Sequence, residues 1–306
     1  MKYFLIYNPI SRQGKSKKDF EKIISILNSK KVDFEYVLTT RKDEAIELAN
    51  FVSKKSFDVV VPVGGDGTIC EVITGLMLQQ ERFRPMMGAL HVGTSPDFNR
   101  YHKIPNGIEE AIDVLINGKT RYIDIGKVTH RDLRRKRDIT SYFGSSVNMG
   151  LGPSIASKSN GRYREYLGDF LGTLSATIVS LVDFKPIDLN LRVDGRNIDM
   201  ENIFNLTVGK DPYLASGMRV PIKIPENNGR MYLLSIQGKH KIPLVTNLWR
   251  LYAGNILDYS KAKLLSCREV EIQGTGNEKL EFDGDFRGYL PAKIEVIPRT
   301  LEILVK

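Results

Sequence analysis

The chain has 306 residues, 42% of them hydrophobic, and its 45 Lys and Arg against 36 Asp and Glu give a net charge of +9. That length suits about two domains of the usual ~100–200 residues, and the composition excludes a disordered chain. The basic balance favours anionic partners, whether nucleotides, phospholipid surfaces or nucleic acid, without choosing among them. Cys70 and Cys267 are too few for a disulfide framework or a zinc knuckle, so a reducing, cytoplasmic compartment is expected. No apolar run approaches the ~18–20 residues of a transmembrane segment. The apolar stretch between Met1 and Pro9 is too short for a secretion signal.

Through the first 125 residues, short apolar runs alternate with amphipathic segments. Phe4 to Tyr7 reads as a buried strand ending at Asn8-Pro9. Phe20, Ile23, Ile24 and Leu27 then recur at helical spacing. Phe34 to Leu38 is a second strand, Ala45, Leu48, Ala49 and Val52 a second helix, and Asp58 to Val63 a third strand. Ile69, Val72, Ile73 and Leu76 share one helical face, Met86 to Val92 is a fourth strand, and Ile108, Ala111, Ile112 and Leu115 mark a fourth helix. Such alternation predicts an α/β domain with a doubly wound, mainly parallel sheet, because parallel strands need crossover connections. After Tyr122 the pattern changes. Short β-rich runs follow at Ser145 to Met149, Leu189 to Val193, Ile203 to Val208, Met231 to Ile236, Val270 to Gln273 and Ile294 to Ile297. One helix, from Arg162 to Val182, interrupts them. Residues 126–306 are therefore expected to form a mainly β, sandwich-like domain, its last strand returning to the first domain. A ligand cleft between the two domains is expected.

The segment Val59 to Thr68 is the most informative. An apolar strand runs into Gly64, Gly65 and Gly67 around Asp66, and a helix begins at once. Glycines let backbone approach a ligand closely, and the N–H groups of a helix start suit phosphate oxygens. A carboxylate there repels phosphate, so Asp66 makes sense if it acts through Mg²⁺ or takes a proton from an attacking hydroxyl. The plainer reading is a tight strand-to-helix turn that happens to hold an Asp, and Thr68 with Glu71 has the spacing of a helix capping box. Three further loops fall beyond the carboxyl ends of strands, where such sheets bind ligands. Asn8 to Lys15 is polar and basic, Thr39-Thr40 offers hydroxyls, and Gly93 to Phe98 brings a second acid, Asp97.

These residues resemble the diacylglycerol kinase catalytic-domain family, which is distantly similar to NAD kinases. The resemblance rests on Asn8-Pro9, Gly64-Gly65-Asp66-Gly67-Thr68 with Glu71, Gly93-Thr94 with Asp97-Phe98, Ile104-Pro105, Ile123-Asp124-Ile125-Gly126 and Asp283-Gly284-Asp285. It implies an ATP-dependent lipid kinase that transfers the γ-phosphoryl group to the hydroxyl of diacylglycerol or a related lipid at the membrane surface. Nucleotide contacts are then expected from Asn8, Pro9, Ile10, Ser11, Arg12, Thr40, Gly64, Gly65, Gly67, Thr68, Glu71, Gly93 and Thr94. The resemblance further implies that Asp66, Asp97 and Asp124 surround Mg²⁺, and that Asp283 or Asp285 is the general base. Taken without the resemblance, Asp283-Gly284 is a hairpin-turn signal.

The chain departs from the family in places. Ser95-Pro96 stands where a small residue and Asn are usual, Cys70 replaces an Asn, and Asp285 is one methylene shorter than the family's Glu. Asn227-Asn228-Gly229-Arg230 stands where bacterial members carry Asp-Asp-Gly and an aspartate that holds a structural Mg²⁺, and an amide is a weaker ligand for a hard cation. Two other functions share the motifs: a soluble-substrate kinase of the NAD kinase kind, and a nucleotide-binding regulator with weak or absent catalysis. Arg131, Arg134, Arg135, Lys136 and Arg137 form the densest basic run, read as a solvated loop or as a contact with anionic lipid. Tyr166, Leu167, Phe170, Leu171 and Leu174 read as a buried helix face or the border of an acyl pocket. No motif supports nucleic-acid binding, and a homodimer is compatible with the sequence.

Overall fold

Apolar strands that are buried on both faces must lie inside a sheet covered by helices, and Val59–Gly64, buried along its whole length, sits at the centre of one. The computed structural model describes all residues except 80–83, 133–136, 159–174, 176, 178, 182–183, 215–216 and 276. It divides into two units, one comprising Met1–Asp124 with Arg299–Lys306 and the other Ile125–Pro298. In the first unit, strands β1 (Lys2–Tyr7), β2 (Asp33–Leu38), β3 (Val59–Gly64), β4 (Met86–Met87) and β5 (Leu90–His91) alternate with helices. The helices are α1 (Lys17–Ser29), α2 (Glu44–Val52), α3 (Asp66–Met77), α4 (Asp97–His102) and α5 (Ile108–Asn117). β1 pairs in parallel with β2 and β3, and β3 pairs in parallel with β4 and β5. Ile303, from the end of the chain, pairs in parallel with Met87.

The helical spacings in the sequence place their apolar faces on this sheet. Phe20, Ile23 and Leu27 of α1 and Ala111, Ile112 and Leu115 of α5 join Leu5, Val59, Val61 and Leu304 in one core. The predicted strand from Met86 to Val92 is two short strands instead. The register is kept across the gap and the Gly88 N–H still donates to the Val60 carbonyl, but the gap faces Pro62 of β3, which has no N–H to give. Gly88 also lies so close to Leu115 of α5 that a Cβ would meet its Cδ2 at 2.2 Å. The six-residue helix α4 carries no sequence period long enough to announce it, yet it buries Phe98, Asn99 and His102.

The chain leaves the first unit within β6 (Lys119–Asp132), which pairs with β7 (Arg137–Phe143) up to Asp132 opposite Arg137. The strands β8 (Ser146–Gly150), β9 (Ile187–Val193) and β10 (Arg196–Gly209) follow, with helix α6 (Leu151–Lys158) after β8. Short strands β11 (Tyr213–Leu214) and β12 (Met218–Arg219) precede β13 (Met231–Gln237), β14 (Ala262–Cys267), β15 (Glu269–Ile272), β16 (Lys279–Phe282) and β17 (Asp285–Val305). Antiparallel pairing runs from β10 through β9, β15, β17, β16 and β8 back to β10, so the ladder closes on itself. A register shift in β10 between Met200 and Ile203 lets that one strand serve two neighbours on the same side. The fold class expected from the sequence, α/β followed by a β sandwich, is the one observed.

Both Asp-Gly pairs form tight hairpins. Asp194 and Gly195 have φ of 46° and 83°, and Asp283 and Gly284 have 46° and 92°, the two left-handed residues that a type I′ turn requires. Arg131 forms an ion pair with Asp138. The remaining basic residues Arg134, Arg135 and Lys136, and most of the predicted helix 162–182 with its apolar face, lie outside the described residues.

Helices α2 and α3 touch at Gly75, where a Cβ would lie 2.3 Å from the Ile46 carbonyl and 2.7 Å from Ala49 Cβ. Gly75→Ala therefore wedges two backbones apart, and overpacking of this kind costs about 1–3 kcal/mol. Denaturant titration should show a lower unfolding midpoint of that size. An unchanged midpoint would show that the two helices slide freely.

Candidate active site

Glycines set the geometry of the loop after β3. Gly65 is the N-cap of α3, with extended backbone (φ −91°, ψ −175°), and Asp66, Gly67 and Thr68 form its first turn. A Cβ on Gly64 would fall 2.3 Å from Thr68 Oγ1, and one on Gly93 would fall 2.4 Å from Gly65 Cα. Only glycine allows the loops after β3 and β5 to lie backbone to backbone. The Thr68 and Ile69 N–H groups both turn onto the Gly65 carbonyl, and the start of α3 carries the positive end of the helix dipole.

Asn8 ties the loop after β1 to this turn. Its Nδ2 donates to Thr68 Oγ1 at 3.0 Å, its Oδ1 accepts from the Ile10 N–H at 3.0 Å, and its own N–H donates to the Val63 carbonyl. Pro9 and Ile10 form the turn, and Ser11–Gly14 continues as a short 3-10 helix in which Arg12 reaches Asp19 at 3.1 Å. Thr40, after β2, donates from N and from Oγ1 to Glu44 Oε2 and so closes the start of α2. The capping box expected of Thr68 and Glu71 is not formed. The helix begins two residues earlier, at Asp66, and Glu71 Oε1 accepts instead from the Asp43 N–H at 3.4 Å.

Asp66 and Asp97 are joined at the junction of α3 and α4 through the Asp97 main chain. Asp66 Oδ2 accepts from the Asp97 N–H at 3.2 Å, while the Asp97 carboxylate accepts from Ser95 Oγ (2.9 Å) and Arg100 Nη1 (3.2 Å). Ser95-Pro96 thus serves the acids, Ser95 through its hydroxyl and Pro96 as the N-cap of α4. Thr94 lies in the bend between Gly93 and Ser95. Asp66 Oδ1 faces His91 Nε2 at 3.8 Å. Burial drives the His91 pKa down to about 4, and the Arg12 charge adds to this against a backbone contact with Ser95, so His91 is neutral at physiological pH.

Asp124 is buried in β6, and its Oδ1 accepts from the Arg299 N–H at 2.9 Å. Among the described residues no three His, Cys, Asp or Glu gather as a metal-holding group, so Asp124 is not brought into a direct ligand set with Asp66 and Asp97. Mg²⁺ is usually bound through one or two carboxylates plus substrate phosphates. Asp66, a hard oxygen donor at a helix N-terminus with Asp97 bonded to it through its N–H, fits that pattern.

The other predicted acids belong to the second unit. Asp283 is committed to the backbone: its two oxygens accept from the N–H groups of Gly144 (3.0 Å), Ser145 (3.1 Å) and Ser146 (2.8 Å). Asp285, at the start of β17, lies 3.3 Å from Arg287 Nη2 and is about one-third exposed (36%). Between them and the core stands Glu281, whose Oε1 accepts from the Gly284 N–H. Burial raises the Glu281 pKa to about 8, with the neighbouring Asp283 and Asp285 charges adding to it and bonds from Gly284 and Asn148 opposing. The sequence reading missed His91 and Glu281. Their one signal is a titratable residue between two apolar ones, His91 between Leu90 and Val92 and Glu281 between Leu280 and Phe282.

Residues 2–128 match the diacylglycerol kinase catalytic domain, and residues 145–305 match the YegS C-terminal NAD kinase beta sandwich-like domain. A diacylglycerol kinase of Staphylococcus haemolyticus (strain JCSC1435) is 24% identical over 299 residues, 98% of this chain and 86% of that one. A crystal structure of a candidate diacylglycerol kinase from Bacillus anthracis str. Sterne superposes with a TM-score of 0.76 at 20% identity, covering 100% of this chain and 95% of that one. Yeast NADH kinase complexed with NADH shares the fold with a TM-score of 0.56 at 13% identity, over 100% of this chain and 83% of that one. The likeness to kinase-family proteins supports a phosphotransferase. The chain belongs to the diacylglycerol kinase family. Kinases of this family imply ATP as phosphate donor, and no helix among the described residues is long and apolar enough to cross a membrane.

The folded protein holds a proton on Glu281 that the unfolded chain releases near 4.5. A folded pKa raised above the unfolded one gives stability that is complete below the unfolded value and lost as pH rises through about 8. The unfolding midpoint is therefore expected to fall between pH 5 and 8, in the sense roughly set by linkage. Glu281→Gln should flatten that slope. An equally steep slope in the variant would assign the effect to another group.

Proposed function

We propose that this chain is an ATP-dependent lipid kinase that transfers the γ-phosphoryl group to the hydroxyl of diacylglycerol or a related lipid alcohol. The observation that carries the reading is the backbone approach of Gly65 and Gly93, which sets Asp66 and Asp97 at the start of α3, the positive end of its dipole. In this reading the polyphosphate lies against the loops of Asn8 to Arg12, Gly64 to Thr68 and Gly93-Thr94, with Thr40 and Glu71 at the margin.

Phosphoryl transfer asks a protein for positioning and for charge stabilisation rather than covalent chemistry. Mg²⁺ held by Asp66, with Asp97 and Asp124 as the acidic surround, would neutralise phosphate charge when bound. Asp97 fixes Asp66 through its N–H, and Arg100 and Ser95 in turn hold Asp97. Neutral His91 walls the other side of Asp66 without adding charge. Of the two acids offered as general base, Asp285 is the better candidate, because three backbone N–H groups already occupy Asp283. Asp283 then positions the turn, and Asp285 accepts the lipid hydroxyl's proton as the oxygen attacks phosphorus. The basic run from Arg131 to Arg137 supplies attraction to an anionic membrane surface, so the protein would work in the cytoplasm as a peripheral membrane enzyme.

The likeness to yeast NADH kinase favours a second reading, a kinase for a soluble nucleotide acceptor. Radiolabelled ATP offered to mixed micelles of diacylglycerol, with NAD in a parallel tube, separates the two. Label in lipid is expected; label in NADP alone would replace this reading with the second.

Two substitutions test the roles. Asp66→Asn should keep the circular dichroism and melting profile of the parent while transfer falls by about three orders of magnitude, the scale of lost electrostatic stabilisation. A well-folded Asp66→Asn protein with parental activity would remove Asp66 from the chemistry. Asp285→Asn should lower kcat by roughly 10²–10⁴-fold at an unchanged KM for ATP, as for loss of a general base. Asp283→Asn should act chiefly on stability, by about 1–3 kcal/mol for stranded backbone donors. The reverse pattern would exchange the two roles.

A further inference from the structure

Lysine is among the residues least often fully buried, because its ammonium loses hydration that only well-placed acceptors restore. Lys210, at the end of β10, is nevertheless 2% exposed. Its Nζ donates to Asn228 Oδ1 at 2.7 Å and to the Arg230 carbonyl at 2.9 Å. The same Asn228 Oδ1 accepts from the Arg230 N–H at 3.1 Å, and Gly229 between them takes a left-handed φ of 67°. The turn 227–230 is therefore folded around one positive charge, with an amide oxygen and a main-chain carbonyl turned onto it. Asp211, also fully buried, lies next in the chain. Its carboxylate accepts from the Tyr213 N–H at 2.7 Å and from Ser145 Oγ at 3.3 Å, which brings a compensating negative charge into the same interior.

The family resemblance places a structural Mg²⁺ at this turn, and the residues present do not fit one. Mg²⁺ demands near-octahedral oxygen ligands at 2.0–2.1 Å and carboxylates to neutralise it, roughly the pattern of protein-bound magnesium generally. Here the turn offers an amide in place of a carboxylate, and a resident ammonium stands against the same two oxygens and would repel a divalent ion. We propose that the Lys210 ammonium is a protein-supplied cation that organises the turn 227–230 in place of a divalent metal. The turn is then folded whether or not metal is present. This inference does not depend on which phosphoryl acceptor the protein uses.

Hydrogen exchange read by mass spectrometry on the full chain, without nucleotide, tests it. Protection of the peptide spanning 227–231 should be the same in EDTA as in millimolar Mg²⁺ or Ca²⁺. Protection that falls on chelation overturns the proposal, since a ligand that binds only the folded turn must stabilise it by mass action. Lys210→Met should speed exchange in that peptide by about tenfold or more, the scale of a local opening made easier, and no change there would deny the ammonium its organising role. The swap Lys210→Ala with Asn228→Asp empties the cradle and restores a carboxylate. In that protein, protection of 227–231 should rise with Mg²⁺ concentration. A swapped protein equally protected with and without Mg²⁺ would show that the oxygens are not a cation cradle. Should either variant fail to fold, the chelation comparison on the parent protein still decides.

Discussion

The first unit is organised around one contact between two backbones, possible because Gly93 carries no side chain. Gly65 and Gly93 end adjacent parallel strands, and their approach is too close for any Cβ on Gly93. Because the loops meet there, the N–H of Asp97 reaches the carboxylate of Asp66, and two acids that are 31 residues apart become one group. Asn8 extends the arrangement to a third loop by bonding Thr68, whose own place is kept by the missing side chain of Gly64. The helix start, the acids and the polar loop are therefore consequences of chain packing at one sheet edge, where a parallel α/β architecture leaves its strand ends open to ligands.

The second unit solves a different problem with a repeated device. Its antiparallel ladder closes on itself, so strands must turn sharply and still be joined to their neighbours. Asp194 and Asp283 both sit in left-handed conformation at hairpin tips and both turn their carboxylates onto main-chain N–H groups of a neighbouring segment. An Asp-Gly pair is thus a turn and a clamp together. In the second hairpin the clamp brings Asp283, Asp285 and the buried, protonated Glu281 within a few residues of one another. Burial, and the neighbouring Asp283 and Asp285 charges, raise the Glu281 pKa, which lessens the negative charge gathered there.

Much of this was legible in the sequence. Period-3.6 faces such as Phe20, Ile23 and Leu27 announced helices because they must be buried, and the unbroken apolar run at Val59 announced a central strand for the same reason. The glycine–aspartate loop was legible as a tight strand-to-helix turn, because glycines directly after an apolar strand permit the close backbone approach seen between Gly65 and Gly93. What could not be read was long-range. Nothing local tells that Gly88 is pressed by Leu115, that Glu71 turns to Asp43 instead of capping its own helix, or that the acids at 283 and 285 differ in how fully backbone donors engage them. Lys210 was invisible as an interior charge, because a lysine after a β-run reads as solvent-facing until its acceptors on a distant turn are known.

Residues 299–305 have a bearing on how the protein is made. Leu301, Ile303, Leu304 and Val305 are buried in the first unit, Ile303 pairs with Met87, and the Arg299 N–H holds Asp124. A ribosome delivers these residues only after the whole of 125–298 has been synthesised. The unit that contains β1 is consequently the one completed late, its sheet lacking the partner of Met87 until the intervening residues have been made. Nascent chains would pass through a period in which the α/β unit is incomplete, and assembly order, rather than order along the gene, would decide when that unit is finished.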